Sequence, residues 1–453
     1  MRKIEIENFG PIKTVDIEIK DILILIGEQA SGKSTISKLI YFFKSLRSDL
    51  FNIIYENSTS DIKQLQKLLF PKIREKFYNF FGSTKHLPNF KIRYHYSVTK
   101  FLELTLYDSS VSKYDKVLKP YLSPNFFGNT LKEAENLINA ISDLSKKRNS
   151  YELIAIESTK LKYLKELDRL INNIFEDHCI PLFIPAGRNV TVTYSDQFKL
   201  DLYSNLKSQK DKLQSVDIHL MIEFLKRVEW IKERFYYGGF KDLIAHKIEI
   251  GGSVNENLLA IAQNKIESIL KGEYQYKDYG ESIVYNAETN EYIHLNNASS
   301  GQQEVIRILQ DIFLVLLEQE DVFRVIEEPE AHLYPIAQKR LLEMIALLLN
   351  ASHSQIIITT HSPYILSIVN NLLFASQVVE KNQLVASEVN SVIDKSMWLD
   401  PAKCQAYTLK EGYCHSILDS ETELIGENYL DDISEELGAD FDQLYHLYGH
   451  VLK

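Results

Sequence analysis

Three short apolar bursts open the chain, at residues 4–9, 15–19 and 22–26, separated by Gly10-Pro11 and Lys20-Asp21. The spacing predicts three strands, and the third, an unbroken apolar run, is the pattern of a strand buried on both faces. It empties into Gly27, and a helix is expected from about residue 32, with Ile36, Leu39, Ile40 and Phe43 on one face. From about 45 to 183 the pattern reads as helical and amphipathic. It is clearest over 130–175, where Leu161, Leu164, Leu167, Ile171 and Ile174 recur every three or four residues. This predicts an inserted helical arm. A second amphipathic stretch covers 216–235. Gly238-Gly239 and Gly251-Gly252 then mark turns, and strand-like segments surround Tyr274, Tyr276, Ile283 and Tyr292. From there to about residue 370 the order is helix, strand, helix, strand, and no internal repeat is evident.

Length and composition narrow the classes. A chain of 453 residues should hold two or three domains, and 45% hydrophobic with 25% charged residues is ordinary for a folded globular protein. No apolar run approaches the roughly 18–20 residues that cross a bilayer. Glu5, Glu7, Asp16 and Glu18 occupy positions where a signal peptide carries its apolar core, so a cytoplasmic location is expected. Cys179, Cys404 and Cys414 form no CxxC pair, which fits a reducing compartment and leaves no zinc hook for the arm. The net charge is −11, and nine acids with no Lys or Arg lie between residues 421 and 442, so the rest is near neutral. Lys146, Lys147, Arg148, Lys207, Lys210 and Lys212 could touch nucleic-acid phosphate, although solvated helix faces are the simpler reading. In the acidic tail Ile433, Leu437, Phe441 and Leu444 stand at helical spacing, for packing on the same domain or for docking a partner. His446 and His450 lie four apart with no third metal ligand in view.

Candidate chemistry is concentrated in four motifs. Gly27-Glu28-Gln29-Ala30-Ser31-Gly32-Lys33-Ser34 matches GxxxxGK[ST] between a predicted strand and a predicted helix. Backbone N–H groups around Gly27, Gln29, Ser31 and Gly32 would cradle phosphate at a helix N-terminus. Lys33 would neutralise the β- and γ-phosphates, and Ser34, with Thr35 behind it, would complete an Mg²⁺ shell. Residues 322–328 read as an apolar strand, with Arg324 an odd guest, ending in Glu327 and Glu328. One carboxylate could hold Mg²⁺ and the next could polarise the attacking water. Ser299, Ser300, Gly301 and Gln302 open a helix, a shape that serves as a cap or as an anion site. Residues 355–360 read as a strand that ends at His361.

Their order, 27–34, 298–302, 327–328 and 361, resembles that of an ABC-type ATPase head: Walker A, signature, Walker B and switch histidine. Glu327-Glu328-Pro329-Glu330-Ala331-His332-Leu333-Tyr334-Pro335 is similar to the EEPEAHLHP pattern of the bacterial overcoming-lysogenisation-defect and RecF/SMC-like ATPases, including the ATPases of the Septu and PARIS phage-defence systems. The opening strands and Ile184-Pro185-Ala186-Gly187-Arg188 resemble segments of the same group. Glu327 stands where Walker B usually has Asp, and Ser300 where the signature has Gly.

The resemblance implies an α/β fold: an ABC-type P-loop ATPase head, a mixed β-sheet flanked by helices, with an inserted α-helical arm. Its divisions would be head at 1–44, arm at 45–180, head again at 181–375 and an acidic α/β extension at 376–453. It also implies ATP and Mg²⁺ as cofactors, with Glu328 and His361 catalytic, Ser34 and Glu327 at the metal, and Ser299, Ser300, Gly301 and Gln302 at the phosphates of a second copy. The expected partners are a second copy of the chain, a separate effector protein that is a nuclease, and DNA or a phage protein as trigger, without a membrane. The function implied is an ATPase acting as sensor and scaffold in anti-phage defence. The alternatives are a RecF/SMC-like repair or chromosome-maintenance ATPase and, less well matched, a transporter ATPase subunit.

Overall fold

The computed structural model describes residues 2–57, 61–84, 86–108, 116–146, 153–193, 216–236, 238–277, 280–286, 288–426 and 437–445. The chain opens with an antiparallel pair, β1 (Arg2–Phe9) and β2 (Ile12–Ile19), in which Ile4 faces Ile17 and Ile6 faces Val15. It then enters β3 (Ile22–Gly27), buried at all six positions as its unbroken apolar run requires. Successive side chains on a strand point to opposite faces, so Ile22, Ile24 and Ile26 enter one core while Leu23 and Leu25 enter the other.

The helix Lys33–Asn57 follows the glycine loop and lies in the second of these cores with the helix Ile62–Phe81. The expectation of helix throughout 45–180 is corrected over residues 91–122. There β4 (Lys91–His95), β5 (Phe101–Asp108) and β6 (Lys116–Leu122) form an antiparallel extension of the main sheet, with β4 paired to β1. The physical reason is a period of two: Ile92 and Tyr94, then Leu102, Leu104 and Leu106, are buried on one face. Tyr94 stacks on Phe43, with ring centroids 5.2 Å apart, which joins the extension to the first helix. The helices Thr130–Lys146 and Leu153–Phe175 match the predicted amphipathic stretch, and Leu167, Ile171 and Ile174 are buried while Leu161 is exposed.

The chain re-enters the sheet through β7 (Ile180–Ile184). The helices Val216–Phe235, Phe240–Glu249 and Glu256–Leu270 follow, then a small antiparallel sheet of β8 (Glu273–Lys277), β9 (Gly280–Asn286) and β10 (Glu291–His294). Helix Ser300–Glu318, β11 (Val322–Glu327), helix Pro335–Ala351, β12 (Gln355–Thr360) and helix Pro363–Lys381 come next in the predicted alternation. The region after 375 is not merely appended. Its β13 (Cys404–Lys410) pairs in parallel with β3, and β14 (Tyr413–Ser416) closes the gap to β2.

The main sheet therefore runs β6-β5-β4-β1-β2-β14-β13-β3-β12-β11-β7 among the described residues, with β13, β3, β12, β11 and β7 forming a parallel block. It is a mixed sheet with helices on both faces. Of the basic positions considered above, Lys147, Arg148, Lys207, Lys210 and Lys212 lie outside the described residues, as do Ile433, His446 and His450. Leu437, Phe441 and Leu444 are exposed, so among the described residues this stripe is not packed on the domain. No described helix is long and apolar enough to cross a membrane.

Candidate functional site

The parallel pairing β11·β12·β3 sets Ile26 beside Thr360 and Glu327 beside Thr359, so three strand ends open at one edge of the sheet. Crevices beyond the carboxyl ends of parallel strands are where ligands bind in α/β folds. Here a cleft of about 330 Å³ is lined by Gln29, Ser31, Gly32, Lys33, Ser34 and Thr35 from the loop and helix, and by Glu328 and His361 from the other two strand ends. The sequence-predicted Walker A, catalytic carboxylate and switch histidine are thus brought together.

Gly27 closes β3 at φ 155°. A side chain there would place its Cβ 2.6 Å from the Leu409 carbonyl oxygen of β13, so only glycine lets that strand pass. The Lys33 ammonium turns back to donate to the Gly27 and Glu28 carbonyls at 2.7 and 2.8 Å. Burial pushes its pKa down to about 8, against the pull of Glu328 and Glu330. Three buried oxygens around the cleft, Ser31 Oγ, Glu327 Oε1 and Glu330 Oε2, have no hydrogen-bond partner.

Glu327 lies behind the cleft wall. Burial raises its pKa, against the Lys38 charge and a hydrogen bond from Ser34. The two residues expected at Mg²⁺ are therefore neighbours, with the Glu327 Oε1 oxygen unsatisfied. Glu328 follows at φ 44°, a left-handed conformation uncommon for a side-chain-bearing residue. That reversal puts it in the cleft, with Oε1 3.8 Å from His361 Nε2. Burial, and then the Lys33 charge, lower the His361 pKa against Glu328 and Glu330.

The signature residues are elsewhere. Ser299 caps the helix Ser300–Glu318 in a capping box with Gln302, and the Gln302 amide donates to the Leu270 carbonyl at 2.6 Å. Ser299, Gly301 and Gln302 line a separate hollow of about 350 Å³ that shares no lining residue with the first cleft. Ser300 is exposed. The structure does not bring these four to the glycine loop of their own chain.

Sequence reasoning gave no site role to Glu330 or Arg188. Glu330 Oε1 accepts from Thr360 Oγ1 at 2.6 Å and from the His361 N–H at 2.9 Å, fixing the turn that presents the histidine. Arg188 is fully buried, with its guanidinium against the Glu327 and Glu328 carbonyls and its charge paired to Glu304. The available signal was polar residues at positions that helical spacing buries: Gln303, Glu304, Arg307, Gln310 and Asp311 all sit inside.

A family model described as AAA ATPase domain matches residues 1–366, most of the chain. The chain belongs to that family. For this AAA ATPase domain, the match spans all four motifs and ends within the helix Pro363–Lys381. No curated protein matches it. Among solved structures it is similar to an SMC head bound to the C-winged helix domain of ScpA, at 13% identity and TM-score 0.38, covering 92% of this chain and 97% of that one. It is also similar to the SMC head domain from Thermotoga maritima, at 11% identity and TM-score 0.33 with the same coverage. A third similarity is to the recombination mediator protein RecF, at 11% identity and TM-score 0.31, again covering 92% and 97%.

Proposed function

We propose that the protein binds ATP in the cleft at the ends of β3, β11 and β12 and hydrolyses it there, and that two copies close around the nucleotide. The observation that carries this reading is the convergence of Lys33, Ser34, Glu328 and His361 on one crevice, with Glu327 against Ser34. A triphosphate suits the loop, because the helix N-terminus and Lys33 supply positive potential. Ser34 and Glu327 would hold the accompanying Mg²⁺, and their fit is seen in the unpartnered Glu327 Oε1. Bound there, the ion would draw charge from the phosphate oxygens. Glu328 polarises the attacking water, and His361 beside it reads the presence of the terminal phosphate.

The separation of the signature hollow from the cleft supports pairing, in which Ser299, Ser300, Gly301 and Gln302 would meet phosphate on another copy. The biological role we favour is a sensor and scaffold of anti-phage defence that regulates a separate effector, a nuclease, with DNA or a phage protein as trigger. This rests on the motif resemblance. It is supported by the use of residues 404–416 to complete the head sheet, which spends that part of the chain on the ATPase itself.

The test is Glu328→Gln, which keeps shape and removes the base. With saturating Mg-ATP the variant should double its mass in light scattering while turnover falls at least roughly a hundredfold, within the usual contribution of a general base. Hydrolysis at the parental rate would remove Glu328 from its role. A persistent monomer would remove the pairing.

A further inference from the structure

We propose that Arg188 is a positioning residue that couples the signature helix Ser300–Glu318 to the carboxylate loop, so that the place of the helix sets the direction of Glu328. This rests on the ATPase reading above. Arg188 is 0% exposed and its partner Glu304 is 2% exposed. Burying such a pair gains little over a well-packed apolar pair, so stability alone is a poor reason for it. What arginine offers instead is a rigid planar fork of five donors.

Here the fork spans three elements. Nε donates to the Glu304 carbonyl at 3.2 Å, and the carboxylate of Glu304 receives the Arg188 backbone N–H at 3.0 Å. Nη1 donates to the Pro185 carbonyl at 2.9 Å and the Glu327 carbonyl at 2.6 Å, while Nη2 reaches the Glu328 carbonyl at 3.0 Å. On its other side Glu328 donates its N–H to the Thr359 carbonyl of β12 at 2.9 Å. The left-handed Glu328 is thus pinned at both of its peptide groups, the first by the sheet and Arg188 and the second by Arg188 and the Ala331 N–H. Such a conformation persists only where its surroundings over-determine it.

The two ends of this link lie on moving parts of the proposed cycle. Glu304 is in the first turns of the helix whose cap, Ser299, faces the hollow that would meet a second copy. A shift of that helix on pairing pulls the Glu304 carboxylate and carbonyl together. Arg188 passes the pull to the two carbonyls that aim Glu328. Engagement by a partner is thereby read by the hydrolytic carboxylate without any contact between partner and Glu328.

The experiment uses full-length Arg188→Lys and Glu304→Gln. Lysine keeps a charge beside Glu304, but its three donors on a single nitrogen cannot serve the four carbonyls that the planar fork holds. Both variants should bind a fluorescent ATP analogue within about threefold of the parent, while kcat falls at least about tenfold. The double variant should be no slower than the slower single, because one link is being cut twice. In nucleotide-free protein, hydrogen exchange over residues 328–334 should accelerate at least tenfold in Arg188→Lys, with the amides of Lys33–Asn57 unchanged. Equal losses of affinity and turnover, multiplying defects or unaltered exchange would each overturn the coupling and leave Arg188 as packing. If Arg188→Lys does not fold, Glu304→Gln carries the same readouts. If the parent shows no hydrolysis, the ATPase reading fails, and the exchange comparison still decides whether Arg188 holds the loop.

Discussion

Replacing Gly301 by alanine adds one methyl group where the helix Ser300–Glu318 touches the turn after Glu328. The new Cβ would lie 2.6 Å from the His332 carbonyl oxygen and 3.6 Å from Leu333 Cδ2. Real contacts of this kind begin near 3.0 Å, so the carbonyl must retreat by about 0.4 Å. The turn cannot absorb this locally, because Ala331 N–H bonds to the Glu328 carbonyl at 3.1 Å and Leu333 N–H to the Glu330 carbonyl at 2.9 Å. Overpacking of this sort costs about 1–3 kcal/mol, and the better helix propensity of alanine returns at most about 1 kcal/mol. A net loss of about 1–2 kcal/mol is expected. Urea unfolding of the nucleotide-free protein measures it, with the exposed neighbour Ser300→Ala as control, expected within about 0.5 kcal/mol of the parent. Nucleotide-free stability is the decisive readout, since lost turnover alone would also follow from damage to the proposed contact with a second copy. If Gly301→Ala is as stable as Ser300→Ala, the close approach to His332 is not why a glycine stands there.

Two further outcomes follow from buried charge. The Lys33 pKa of about 8 leaves much of the free protein neutral at that position above pH 8. A bound triphosphate favours the ammonium, so binding at pH 8.5 should take up about 0.8 proton, and affinity should weaken as pH rises further. Calorimetry in buffers of different ionisation heat reads this directly, and zero uptake would contradict the assignment. Asp311, 1% exposed, accepts from Arg324 at 2.6 Å and from Arg227 at 2.8 Å. Asp311→Ala strands Arg324 inside the sheet and should cost about 3–5 kcal/mol in urea unfolding. Burial opposes the charged Asp311 carboxyl, yet Arg324 and Arg227 hold its pKa below the usual range. The stability this lowered pKa confers is therefore present above the unfolded Asp pKa and is lost as pH falls through the folded value.

The parts of the site written as contiguous motifs were legible. Ile22–Gly27 announced a doubly buried strand, and the glycine loop, Glu327-Glu328 and His361 each sit where a strand ends. Arg324, out of place in a buried strand by composition, makes sense only through Asp311, thirteen positions away on a helix. Residues 91–122 were misread because their alternation is short and lies between long helices, whose period dominates the wider window. β13 was invisible as the neighbour of β3: Cys404 pairs with Ile22 across most of the chain, and no local pattern records such a partner. The roles of Arg188 and Glu330 have the same character. Each lies in a quoted segment, but its function is a set of hydrogen bonds to distant backbone.

The claim on which the account depends is that the loop from Gly27 to Thr35 holds a triphosphate. Titrating Mg-ATP into parental protein and into Lys33→Met by calorimetry tests it most directly. The account predicts one nucleotide per parental chain and roughly hundredfold weaker binding by the variant, the loss of about 3 kcal/mol expected for a charge-assisted contact. Equal affinities for the two proteins, or no binding to the parent, would contradict it.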